Sequence, residues 1–108
     1  LGRRERWTLA ARQTSTPLDP AAPRAAAFRR WTPPRGWFWA DPFPIRHDGA
    51  DHVFFEAYDY ERAIGEIHAV TVDAEGQPGP HRVVMAGNHH LSYPFLFDHA
   101  GEPHLLVE

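Results

Sequence analysis

The stretch Asp41-Pro-Phe-Pro-Ile-Arg-His-Asp-Gly-Ala-Asp-His-Val-Phe-Phe-Glu56 recurs without a gap, 52 residues later, as Tyr93-Pro-Phe-Leu-Phe-Asp-His-Ala-Gly-Glu-Pro-His-Leu-Leu-Val-Glu108. The two copies share Pro42/Pro94, Phe43/Phe95, His47/His99, Gly49/Gly101, His52/His104 and Glu56/Glu108, and the apolar runs Val53-Phe54-Phe55 and Leu105-Leu106-Val107 coincide. A period of this length belongs to stacked or radially arranged supersecondary units. Asp41 is replaced by Tyr93 at the head of the repeat. A repeat position that loses its carboxylate does not need it for the fold.

Working outward, short apolar runs alternate with turn residues, the pattern of an all-β chain. Strands are expected over Phe43–Arg46, His52–Tyr58, Glu66–Val72 and Arg82–Met85, with turns at His47–Asp51 and at Asp73–Gly76. Four antiparallel strands between Asp41 and Ala86 make one propeller blade. The expected architecture is therefore part of a β-propeller, with a blade over 41–86 and a half blade over 91–108 inside an incomplete propeller domain over 37–108. Residues 1–36 form a separate N-terminal segment. Trp7–Arg12 is a candidate strand, Gln13–Ala27 is a Pro- and Ala-rich linker, and Ala25–Trp31 can form a helical turn before Pro33-Pro34-Arg35-Gly36. Because propellers need roughly 4–8 blades, the 108 residues are expected to be part of a larger protein. Such a fragment should self-associate or pack against its remaining blades or a second chain, since open blade edges are left exposed.

The net charge is −3 with both signs dispersed; only Arg3-Arg4-Glu5-Arg6 is locally charged, so no nucleic-acid footprint emerges. Cysteine is absent, which excludes disulfides and thiolate metal sites. No apolar run approaches the roughly 20 residues of a membrane span. The compartment is left open, with the cytoplasm slightly favoured. The histidines lack ligand spacing, and adjacent His89 and His90 would point to opposite faces of an extended chain; no metal and no cofactor are expected.

Asp41 follows the aromatic run Trp37-Phe38-Trp39, pairing a carboxylate with rings, as carbohydrate sites do. Its alternative use is to hydrogen-bond the turn before Pro42. His90, Ser92 and Tyr93 are the counterpart of this segment and should face the same channel. Glu56 and Glu108 end equivalent strands. Glu56 serves either a repeated inter-blade hydrogen bond or the ligand, and Glu108 is a candidate second carboxylate. The candidate set is thus Asp41 and Glu108 for catalysis, with Trp39, Glu56, His90, Ser92 and Tyr93 for binding.

Trp39-Ala40-Asp41-Pro42-Phe43, Phe54-Phe55-Glu56, His90-Leu91-Ser92-Tyr93-Pro94-Phe95 and Glu108 together resemble the N-terminal domain of glucosamine inositolphosphorylceramide transferases and their bacterial relatives. That domain is similar to the five-bladed propellers of family 43-type glycoside hydrolases. The resemblance covers Trp31 to Glu108 and implies a five-bladed propeller acting on a glycan or glycolipid headgroup. It puts Asp41 on the general base of an inverting hydrolase, whose general acid would lie outside this chain. Tyr93 departs from the aspartate-proline often found at the hydrolases' blade starts, which speaks for an accessory, glycan-binding role beside a glycosyltransferase domain. A non-catalytic protein-interaction propeller is the third class.

Overall fold

The computed structural model describes residues 6–14 and 28–108. Most of the expected linker, including Ala25–Ala27, lies outside the described residues. The elements are β1 (Leu9–Ala11), β2 (Arg29–Trp31), β3 (Trp37–His47), β4 (Ala50–Asp59), β5 (Ile64–Val72), β6 (Arg82–Met85), β7 (Phe95–His99) and β8 (Glu102–Leu106). The chain is all-β, and no helix is found among the described residues; hence no helix there is long and apolar enough to cross a membrane.

The strands form three antiparallel sheets. β3-β4-β5-β6 is a four-stranded meander, flanked by the two-stranded sheets β1-β2 and β7-β8. The β3–β4 turn is tighter than the five residues expected. His47 pairs with Ala50, leaving Asp48-Gly49 as a two-residue loop in which both residues have positive φ, 49° and 76°. β7 and β8 repeat this with Ala100-Gly101 at 54° and 79°. Two consecutive positive φ angles mark the hairpin turn that matches strand twist, and glycine at the second position adopts it without strain.

Two sequence expectations are corrected. β3 starts at Trp37 rather than Phe43, and its register with β4 shifts between Ala40 and Phe43. The bulge absorbs Pro42 and the positive φ of Asp41, 51°, so residues that look like strand breakers sit inside an 11-residue strand. Arg29–Trp31, expected at the end of a helical turn, is a strand paired with Leu9–Ala11. Burial of Trp31, at 4% exposure, outweighs the helical preference of a nearby alanine run.

The core lies between β1-β2 and one face of the four-stranded sheet. Leu9, Trp31, Trp39, Phe55, Ala57 and Val70 form it, with Ala11, Trp37, Val53 and Val72 around the rim. The N-terminal strand and the first blade-like sheet thus share one core. Phe55 is fully buried and meets Trp39 at 4.9 Å between ring centroids, a burial that stabilises by about 1.5–3 kcal/mol. β5 runs through the middle of the sheet, and Gly65 to Val70 are buried without interruption. On the opposite face Phe38 stacks on Tyr58 at 4.6 Å, and Phe43 meets Phe95 edge-on at 5.5 Å, which brings β7 beside β3.

Candidate functional site

The bulge turns the chain at Asp41 towards a cavity of about 820 Å³, lined by Trp7–Ala10, Phe38–Pro42, Glu56, Tyr58, Tyr60 and His90. Ala40 lies opposite Glu56 in the β3–β4 ladder, which brings the carboxyl groups of Asp41 and Glu56 into hydrogen-bonding contact. Glu56 is 6% exposed. Burial, then the hydrogen bond to Asp41, then repulsion from its charge push the Glu56 carboxyl up to about 7. Near neutrality the Glu56 carboxyl is thus partly protonated and can serve as donor or acceptor.

His90 completes the group. The Gly65 N–H donates to His90 Nδ1 at 2.9 Å, so that nitrogen is the acceptor and the ring proton sits on Nε2, 3.3 Å from Glu56 Oε1. The main chain beside it is tied down as well, since Leu91 N–H donates to the Gly65 carbonyl at 3.0 Å. Only glycine fits at this crossing. A Cβ on Gly65 would lie 2.5 Å from Leu91 O, 2.7 Å from His90 Cε1 and 2.8 Å from Glu56 Oε1. The His90–Leu91 segment thus covers the outer edge of β5 beyond the end of β6, whose pairing spans Ile67 to Ala69.

Three of the seven expected site residues, Asp41, Glu56 and His90, are gathered at the cavity. Trp39 also lines it, but its ring packs in the core against Phe55 and His81. Ser92, Tyr93 and Glu108 are not among the lining residues. Ser92 and Glu108 exchange backbone hydrogen bonds of 3.2 and 3.0 Å, repeating the Ala40–Glu56 pairing. Glu108 is exposed and Tyr93 is 58% exposed. Tyr93 has a φ of 49°, close to that of Asp41. The same backbone bend therefore forms with a tyrosine at its apex. The carboxylate at Asp41 is an addition to the bend, not a condition for it.

Tyr58 and Tyr60, absent from the sequence reading, supply much of the cavity's aromatic wall with Phe38. Tyr58 pairs with Phe38 across the β3–β4 ladder, and the alternate spacing of Tyr58 and Tyr60 was the available signal. A second titratable cluster, on the other face, was also missed. Buried Glu66 bonds Arg62 and lies 3.1 Å from His68. Burial raises the Glu66 carboxyl, but Arg62 and His68 outweigh it and hold it below its usual value; burial pushes His68 down. Among the described residues no group of three or more His, Cys, Asp or Glu is arranged to hold a metal ion.

The contact between Asp41 and Glu56 limits their chemistry. Two carboxyls that act across an inverted glycosidic centre stand about 6.5–9.5 Å apart to admit water, so Glu56, hydrogen-bonded to Asp41, is not placed as the acid of such a pair. Compared with known proteins, the chain matches no family model, no curated protein and no solved structure.

Proposed function

We propose that this chain is part of a carbohydrate-active β-propeller whose cavity holds a glycan or glycolipid headgroup. The observation that carries the reading is the Asp41–Glu56 pair beside an aromatic wall, in a bend that forms equally well without a carboxylate. The two carboxyl groups can bind hydroxyl groups, while Phe38, Tyr58 and Tyr60 offer apolar surface to the ring's C–H face. The propeller geometry is supported by the four-stranded meander, by the repetition of its first hairpin in β7-β8, and by the side-by-side approach of β3 and β7 through Phe43 and Phe95.

The resemblance to family 43-type hydrolases favours a second reading, in which Asp41 is the general base of an inverting glycoside hydrolase. Glycan-array binding followed by turnover assays on Asp41→Asn separates the two. Loss of binding supports the binding site, whereas binding kept with turnover abolished supports the base. A protein-interaction scaffold would be indicated if neither Asp41→Asn nor Tyr58→Ala alters any sugar-dependent property.

A further inference from the structure

A second cavity, of about 690 Å³, lies on the far side of Trp7, Thr8 and Tyr60, which line both. Its other lining residues are Arg6, Arg30, Thr32, Pro33, Pro34, Arg35, Gly36 and Trp37. Three arginines line a concave surface whose described lining contains no carboxylate. We propose that this cavity is a binding site for a phosphate group.

Each arginine comes from a different local structure. Arg6 precedes β1. Arg30 lies on β2 opposite Ala10. Arg35 sits in the turn closed by the Trp37 N–H to Pro34 carbonyl bond of 3.2 Å, with Gly36 at φ 90°. A positive φ at the third residue of such a turn suits glycine and fixes the direction of the residue before it. The turn is tied to the sheet by the Tyr60 N–H to Gly36 carbonyl bond of 3.0 Å.

Among the described residues the three arginines are also unspent. Among the described residues none of them has an ion-pair partner, whereas Arg46 is paired with Asp51 and Arg62 with Asp59 and Glu66. The carboxylates nearest in the ladder to Trp37 are thus already neutralised by Arg62, which lies over the Trp37 ring at 5.8 Å. Like charges gathered in a hollow without counter-charge raise the local potential and concentrate anions. Guanidinium forks match the oxygens of phosphate bidentately, and Thr32 adds a neutral hydroxyl. The site is distinct from the carboxyl-bearing cavity and does not depend on the glycan reading.

The test uses the 108-residue chain and three probes: inorganic phosphate, a soluble sugar phosphate, and phosphatidylcholine vesicles with and without phosphatidic acid. Saturable shifts in the amide spectrum at Arg35–Trp37 and Arg30 are expected with at least one probe. The double substitution R30Q/R35Q should weaken that binding about tenfold or more, R30K/R35K should weaken it less because charge survives without the fork, and R46Q should leave it unchanged. Response to inorganic or sugar phosphate assigns a soluble ligand; response confined to the acidic vesicles assigns a lipid headgroup; both support the site. No saturable response to any probe overturns the proposal, as does a response that R30Q/R35Q leaves intact while circular dichroism shows the variant folded.

Discussion

The hairpins β3-β4 and β7-β8 have the same bends and different fates. In both, a positive-φ residue comes before proline, Asp41 at 51° within β3 and Tyr93 at 49° ahead of β7, and both close on a two-residue turn, Asp48-Gly49 and Ala100-Gly101. Yet Phe55 and Glu56 are buried in the first, while their counterparts are half-exposed Val107 and exposed Glu108. The first hairpin is covered by β5 on its edge and by β1-β2 on its face. The repeated residues therefore specify backbone shape, and the neighbours decide which side chains become chemically unusual.

The largest expected difference between the hairpins is in packing. Phe55→Ala should cost about 3–5 kcal/mol, whereas Val107→Ala should cost about 1 kcal/mol or less, since little apolar area there is removed from water. Urea unfolding of both variants checks this; equal losses would mean that the second hairpin is buried in the assembled protein. Gly65→Ala follows, with about 1–3 kcal/mol expected from the forced displacement of Leu91 and His90. The same variant should release the His90 ring, read from its imidazole resonances.

A pH-dependent difference comes next. Glu56 has its folded value raised to about 7 from an ordinary 4.5, so between those limits the folded state holds more proton than the unfolded one. The associated stability is complete below about pH 4.5 and is lost as pH rises through about 7, on the order of 1–3 kcal/mol in all. Glu56→Gln should flatten this part of the profile. The smallest effect is expected at the bend itself. Asp41→Asn and Tyr93→Asn should each change stability by about 0.5 kcal/mol or less, because asparagine tolerates positive φ. A large loss in Asp41→Asn alone would assign that carboxylate to the fold.

Much of the strand pattern was legible in the residues. Arg82–Met85 matches β6, and His52–Tyr58 lies within β4, because these runs are apolar or β-branched and bounded by turn chemistry. β3 was read too short because Asp41, Pro42 and Pro44 look like breakers, and only pairing with β4 reveals a bulge that accommodates them. The strand at Arg29–Trp31 depends on its distant partner Leu9–Ala11, which no local propensity encodes. Asp41 was legible as a candidate site residue from the aromatic run before it and from its loss at Tyr93. The partnership of Glu56 with His90 was not, since it requires Gly65 to let the two segments cross, and a lone glycine in a strand pattern announces a close approach without naming the partner.

The hydrogen bond from Gly65 to His90 Nδ1 also gives the molecule an internal reporter of its own breathing. This amide is sealed by a side chain rather than by a neighbouring strand, so its deuterium uptake follows the lifting of the His90–Leu91 segment, while amides deeper in β5 wait for the whole sheet to open. Anything that fills the adjacent cavity and leans on His90 would slow that single clock first.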